Sequence, residues 1–274
     1  MTAIEVSGLR KAYGGREAVA GIDLTVAAGE VFALLGPNGA GKTTAVEILE
    51  GHRRRDGGDV RVLGADPGTA DRRWRARIGI VLQTATDAAD LTVAEMVRHV
   101  AGFYPRPRSV AEVIDAVGLS EKANAKIRSL SGGQRRRVDV ALGVVGRPDV
   151  LFLDEPTTGF DPEARRQFWE LIRAQAREGT TIVLTTHYLD EAEALADRLA
   201  VIAAGRIVAE GSPASFGGRA TAEATVAWDG RREKVADPTE LITRLVKDGA
   251  DLSRLTVTRP TLEDTYLSLI GEAR

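Results

Sequence analysis

The chain has no cysteine, so disulfides and thiolate metal sites are excluded. It has no excess of positive charge: the formal net charge is −2. That balance argues against bulk electrostatic binding to nucleic acid. No apolar run approaches the ~18 residues at which a membrane span becomes credible, so the chain is expected not to cross a bilayer by itself. The opening segment MTAIEVSGLRK carries none of the apolar core of a signal peptide. Internal repeats and low-complexity tracts are also missing. What remains is a 274-residue chain, 43% hydrophobic, long enough for a full core.

Short apolar runs alternate with longer helical patterns, which is the signature of α/β architecture. Residues Ile22–Val26, Val31–Leu35, Ile78–Leu82, Val150–Leu153 and Thr181–Thr185 read as strands. Several are apolar throughout, as expected for strands covered on both faces. Thr92 with Glu95, and Ser109 with Glu112, each match a capping box. Asp161-Pro162 opens a helix that Glu178-Gly179 closes. Leu199–Ala203 and Arg206–Ala209 flank Ala204-Gly205 as a hairpin. The turn-rich stretch Gly211–Gly218 reads as a linker. Beyond it come a strand at Glu223–Trp228, a helix capped by Asp237 and a strand at Leu252–Thr258. A helical stripe of Leu262, Tyr266, Leu269 and Ile270 ends the chain. The division expected is a main domain over 1–216 and a small α+β appendage over 217–274.

GPNGAGKTT, residues 36–44, fits G-x-x-x-x-G-K-[ST] between an apolar strand and a helix expected over Thr44–Glu50. Such a loop turns successive backbone N–H groups inward around phosphate oxygens, with the positive end of the helix behind them. Gly36, Asn38, Gly39, Ala40, Gly41, Lys42, Thr43 and Thr44 are its candidate nucleotide-binding residues. Lys42 is placed to meet the β- and γ-phosphates, and Thr43 to ligate Mg²⁺. Val150–Leu153 runs into Asp154 and Glu155. One carboxylate suits the metal ion and its waters, the other the activation of an attacking water. Asp154 is the candidate metal ligand and Glu155 the candidate general base. Leu130-Ser131-Gly132-Gly133-Gln134 opens a second helix, with Val138, Ala141, Leu142 and Val145 on one face. Its N-terminus is a second potential anion site. Read alone, it is equally a serine N-cap followed by two flexible glycines.

With these motifs together, the sequence resembles the ATP-binding subunit of an ABC transporter over at least Ile4–Gly211. LSGGQ matches that family's signature. The resemblance implies a P-loop NTPase fold: a RecA-like core, a helical subdomain at about 84–145 and an N-terminal antiparallel β part. It also implies ATP and Mg²⁺ as cofactors, and two such domains facing head to tail. Ser131, Gly132, Gly133 and Gln134 would then act on the partner's nucleotide. Tyr13 matches the aromatic that stacks on adenine, though by itself it is as well a core or surface tyrosine. Gln83 matches the glutamine that contacts Mg²⁺ and water, and His187 the switch histidine on the γ-phosphate. His52 and His99 lack such context and read as structural or surface residues. Asp161 matches the loop that crosses the dimer interface, besides capping its helix. Leu82 and Phe160 depart from the family's commoner residues without removing a catalytic group.

LQTATDAADLTVAEMV, FYPRP, TTGFDPEARRQFWELI and RPTLEDTYLSLIG are similar to ATP-binding subunits of bacterial drug exporters of the daunorubicin-resistance type. That resemblance implies two copies docked beneath a separate polytopic membrane permease, at the cytoplasmic face of the membrane. Docking is expected between Gln83 and Ser131, around Thr84–Leu91. The C-terminal appendage reads as a stabilising cap or dimer contact. Arg53–Arg55, Arg72 to Arg77 and Arg135–Arg137 read as solvated faces, with Arg135–Arg137 near nucleotide or dimer contacts. No aromatic stacking platform accompanies them, so nucleic acid is not expected as a partner. The alternative is a soluble ABC ATPase acting on ribosomes or nucleic acid. Such proteins are expected to carry tandem nucleotide domains or a long coiled coil, and this chain has one phosphate loop and no heptad insertion.

Overall fold

The computed structural model describes residues 1–81, 90–218 and 222–272. Two long strands open the chain, β1 (Thr2–Tyr13) and β2 (Arg16–Ala27), paired antiparallel. Only part of β2 is legible as a strand in the sequence, and β1 is not. The register of the pair shifts at several points, so the period-two pattern that marks a half-buried strand is broken. Then come β3 (Val31–Leu35), α1 (Lys42–Leu49) and β4 (Gly57–Val62). β4 pairs with β1 to complete a three-stranded antiparallel sheet ordered β2-β1-β4.

A short helix α2 (Arg72–Arg75) leads into β5 (Ile78–Val81). The helical segment follows as α3 (Val93–Ala101), α4 (Val110–Ala116) and α5 (Gly132–Val144). Thr92 and Glu95 form the expected reciprocal cap on α3. Ser109 does not cap α4: its side chain makes no cap hydrogen bond. The approach to that helix is fixed instead by Arg108, whose backbone N–H donates to the Val145 carbonyl and whose guanidinium pairs with Glu178. Tertiary contacts there override the local motif.

The chain continues through β6 (Val150–Asp154), α6 (Pro162–Arg177), β7 (Thr181–Thr186), α7 (Leu189–Leu195), β8 (Arg198–Ala203) and β9 (Arg206–Gly211). The six-stranded central sheet is ordered β5-β6-β7-β3-β8-β9 and is parallel except for β9. The β8–β9 turn uses left-handed backbone at Ala204 and Gly205, matching the twist of a tight hairpin. Side chains on a strand alternate between faces, and the sheet has a core on each. Phe32 and Leu34 of β3, with Val150 and Phe152 of β6, pack toward α1 and the antiparallel sheet. Leu35, Leu151 and Leu153 pack toward α3–α7. The loop after β3 is therefore held from both sides.

The C-terminal part forms β10 (Ala224–Trp228), β11 (Arg231–Val235), α8 (Pro238–Lys247), β12 (Thr256–Thr258) and α9 (Leu262–Glu272). Asp237 caps α8 by accepting from the Thr239 N–H at 2.8 Å. The expected strand at Leu252–Thr258 shrinks to three residues. A small core of Val226, Trp228, Leu241 and Leu245 joins α8 to the sheet ordered β11-β10-β12. The stretch expected as a linker is not a free one: Phe216 is fully buried in the same core as Leu151 and Leu184. Leu262 of α9 is buried beside it, with Tyr266, Leu269 and Ile270 packed against that core. Among the described residues, no helix is long and apolar enough to cross a membrane.

Candidate nucleotide site

The loop from Gly36 to Gly41 is squeezed between backbones. A Cβ on Gly36 would lie 2.3 Å from the Ile202 carbonyl oxygen. One on Gly41 would lie 2.2 Å from the Ala18 carbonyl oxygen, and its φ of +107° is itself strained for any other residue. α1 starts at Lys42, two residues earlier than expected, so Lys42 and Thr43 form its first turn beside the loop. The loop borders a cleft of about 690 Å³ that Tyr13, Asn38, Gly39, Gly41, Lys42, Thr43, Thr44 and Glu155 also line. Gly36 and Ala40 shape the loop from behind, Ala40 being buried.

Lys42 is buried, and its Nζ donates to the Gly36 carbonyl at 2.8 Å and the Pro37 carbonyl at 3.3 Å. Burial holds its pKa below the ordinary lysine value, and the nearby Glu155 and Asp154 carboxylates oppose that shift. Glu155 Oε1 is 3.8 Å from Lys42 Nζ, and Glu155 Oε2 is 3.4 Å from His187 Nδ1. Thr158 Oγ1 also donates to Glu155 Oε2 at 3.4 Å. Glu155 adopts a left-handed φ of +43°, an uncommon conformation for a residue with a side chain. Strain of this kind persists only where the surroundings over-determine it. The Glu155 N–H donates to both the carbonyl and the hydroxyl oxygen of Thr185, each at 3.1 Å. The Thr185 hydroxyl in turn donates to Asp154 Oδ1. One buried threonine thus sets the frame of both carboxylates. Sequence reasoning saw Thr185 only as a strand end; its register opposite Asp154 is what gives it this position.

Arg136 is a second omission. It lies in a run of three arginines that reads as a solvated face, yet it is buried. Its Nε donates to the Pro156 carbonyl at 3.0 Å and its Nη2 to the Asp154 carbonyl at 3.1 Å. The neighbouring carboxylate of Asp139 is 3.7 Å away. The first turns of α5 are thereby tied to the end of β6. Sequence offered no sign of this, because spacing alone does not reveal which arginine of three turns inward.

Ser131 caps α5. Its hydroxyl accepts from the Gln134 N–H at 3.2 Å, while Gln134 Oε1 accepts from the Ser131 N–H at 3.0 Å. Asp161 caps α6 by accepting from the Ala164 N–H at 2.8 Å. Ser131, Gly132, Gly133, Gln134 and Asp161 do not line the cleft around Lys42. Ser131, Gly132 and Asp161 face outward instead. Tyr13 is 43% exposed at the cleft mouth, with Arg53 and Lys11 lying 5.4 and 5.5 Å from its ring centre. Gln83 and the docking stretch up to Ala89 lie outside the described residues. Asp154 and Thr43 provide the hard oxygen donors that Mg²⁺ prefers. An ion of that kind keeps waters and takes substrate phosphates, so a cage of several protein carboxylates is not required.

The family model described as ABC transporter matches residues 19–158. The chain belongs to the ABC transporter family. It is an ATP-binding cassette of that family, an ATPase that binds nucleotide. The chain is 48% identical to the daunorubicin/doxorubicin resistance ATP-binding protein DrrA of Streptomyces peucetius, over 77% of this chain and 65% of that protein. It therefore spans slightly under two thirds of that relative. The match to DrrA3 of Streptomyces coeruleorubidus is 37% identical and covers 100% of this chain and 97% of the relative. The Nod factor export ATP-binding protein I of Ralstonia nicotianae is 43% identical over 77% of this chain and 67% of its own length. Among solved structures, an ATP-binding subunit of an ABC transporter aligns with a TM-score of 0.70 at 25% identity, over 78% of this chain and 91% of the other. A dimeric cassette, MJ0796 bound to ADP and phosphate, aligns at 0.68 with 24% identity, over 76% and 98%. This ABC fold agrees with the α/β P-loop class expected from the motifs.

Proposed function

We infer that this chain is the ATP-hydrolysing subunit of a bacterial exporter, of the drug-efflux type, and that it works by closing on a second copy of itself. The observation that carries this reading is the split of the candidate residues. The loop, Lys42 and Glu155 line one cleft, with His187 beside Glu155, while the helix terminus at Ser131 is exposed and does not line it. A helix N-terminus favours anions, so a second chain turned head to tail would bring its Ser131, Gly132, Gly133 and Gln134 to this chain's nucleotide, with the Asp161 loops meeting between them. The similarity to drug-resistance and Nod factor export subunits supports export as the direction. A separate membrane permease, docked on the helical segment, would hold the pair at the cytoplasmic face of the membrane.

Within the closed site, Lys42 binds the β- and γ-phosphates and Tyr13 stacks on the base. Glu155 accepts the proton of the attacking water, held between Lys42 and His187. Asp154 and Thr43, with Gln83, would hold Mg²⁺, which when bound neutralises charge on the transferring phosphate. His187 acts as a hydrogen bonder and orients the base. Replacing Lys42 by alanine is expected to weaken ATP binding roughly 10- to 100-fold, the range for losing a hydrogen bond to a charged group. Titration calorimetry reads this directly, and an unchanged affinity would remove the lysine from the phosphates.

Complementation tests the shared site. Lys42→Ala and Ser131→Arg chains are each expected to be inactive. Mixed, they form heterodimers in which one site has both an intact loop and an intact signature, and ATPase activity returns. If each chain built its site alone, mixing would restore nothing.

A further inference from the structure

His187 does not stand by itself against Glu155. Its ring packs on the ring of Tyr188, with centroids 4.1 Å apart and planes tilted by 38°. Tyr188 is in turn covered by the guanidinium of Arg165, whose Cζ lies 4.6 Å from the ring centre. Arg165 Nη1 is anchored to Asp190 Oδ2 at 2.9 Å, and the Tyr188 N–H donates to Thr186 Oγ1 at 3.0 Å. The two ends of the stack thus rest on different elements, α7 and the end of β7 on one side and α6 on the other. Arg165 Nε is buried and makes no hydrogen bond among the described residues. The guanidinium is therefore oriented by the ring and by Asp190, not by a full set of acceptors. The Arg165 backbone N–H closes the first turn of α6 onto the Asp161 carbonyl at 3.0 Å.

We propose that Tyr188 and Arg165 are positioning residues for hydrolysis: together they fix the His187 ring in the orientation that places Nδ1 at Glu155, and they tie that orientation to the turn carrying Asp161. The physical case is one of restraint. A histidine that follows a strand and is partly exposed has two free side-chain torsions. An aromatic face packed on one side removes much of that freedom, and a cation over the tyrosine ring strengthens the tyrosine's own placement. His187 Nδ1 then already stands 3.4 Å from Glu155 Oε2 before nucleotide arrives. Any shift of the first turn of α6 moves Arg165, and with it the support of the histidine. Tyr188 and Arg165 do not line the cleft around Lys42, so they act on the rate and not on nucleotide affinity. The inference rests on the ATPase reading of the site.

Two measurements on the full chain test it. The first is the NMR spectrum of the histidine rings, of which there are three. In the unaltered chain the His187 ring protons are expected upfield of their usual position, shielded by Tyr188. Tyr188→Leu is expected to abolish that displacement and Tyr188→Phe to keep it. The second is steady-state hydrolysis with a double-mutant cycle. Tyr188→Leu should lower kcat by about 10- to 100-fold, as a misplaced reacting group does, with the KM for ATP nearly unchanged. Tyr188→Phe should restore the rate. In a His187→Ala background, Tyr188→Leu should cost nothing more. Equal losses in both backgrounds, failure of phenylalanine to rescue, or His187 resonances indifferent to Tyr188 would each overturn the proposal. A complete absence of hydrolysis by the unaltered chain with its permease, alongside shielded His187 resonances, would instead count against the ATPase reading while leaving the stack in place.

Discussion

Glu155→Gln protein is expected to bind Mg-ATP, to hydrolyse it about 10²- to 10⁴-fold more slowly than the unaltered chain, and to accumulate as a dimer. The rate loss is that of removing a positioned general base. The amide matches the carboxylate in shape, so the geometry at Lys42, Thr158 and His187 has no steric reason to change. Binding is retained because the phosphates are held by the loop N–H groups and by Lys42. Charge points the same way. Glu155 now stands 3.8 Å from Lys42 Nζ and helps keep that buried lysine protonated. A triphosphate brings more negative charge than the glutamate takes away, and without Glu155 it meets one like charge fewer. Light scattering with and without Mg-ATP gives the answer. An ATP-dependent passage from monomer to dimer supports a nucleotide sandwiched between two chains. Protein that binds ATP yet stays monomeric, alone and with its membrane partner, would remove Ser131 from the partner's site.

The second large effect is expected far from solvent. Arg136→Met should destabilise the fold by about 3–5 kcal/mol, the cost of breaking a buried ionic arrangement by deleting one side. Arg136 donates to the carbonyls of Pro156 and Asp154 and faces Asp139. Burial pulls its pKa below the usual arginine value, with Asp139 and Asp154 working against that shift. Methionine fills the space but donates nothing, so two carbonyls lose their donors and Asp139 loses a cation. For a chain of this size the loss corresponds to a fall in Tm of roughly 10 °C. Lysine should not rescue, because one ammonium cannot reproduce a planar fork aimed at two carbonyls. The control is Arg137→Ala. Arg137 is half-buried and pairs with Gln167, and its loss should cost less than about 1 kcal/mol. Thermal melts of the three variants settle the comparison. Equal losses at Arg136 and Arg137 would mean that the inward arginine carries no special share.

These two residues also mark the limits of reading the sequence. The phosphate loop and the Asp154-Glu155 pair were legible because their chemistry is local. A loop that wraps phosphate needs glycines beside a lysine, and a strand end that serves a metal and a water needs adjacent carboxylates. The two-sided central sheet was legible because burial on both faces leaves continuous apolar runs. β1 was not, because its bulges interrupt the alternation on which a half-buried strand is recognised. Arg136 and Thr185 were hidden for another reason. Their importance comes from residues distant in the chain, Pro156 in one case and the facing strand residue Asp154 in the other. Ser109 erred in the opposite sense, a correct local motif outvoted by Arg108 and its tertiary partners. Phe216 was masked by its neighbours, since the glycines, serines and proline around it carry the turn signal while the phenylalanine alone carries the burial.

Phe216 has one more consequence. It and Leu262 are buried in the same core, and Gly217 is pressed so closely to Thr265 that a Cβ there would lie 2.2 Å from its methyl carbon. The chain therefore leaves the main body and returns to it at nearly one point. Topologically, the small sheet with α8 is an excursion spliced in ahead of a closing helix, not a trailing extension. A protein engineer trimming this molecule from its C-terminus would remove the closing helix first and uncover the principal core. Excising the excursion and rejoining the chain from Gly218 to Leu262 would leave Phe216 and Leu262 in that core.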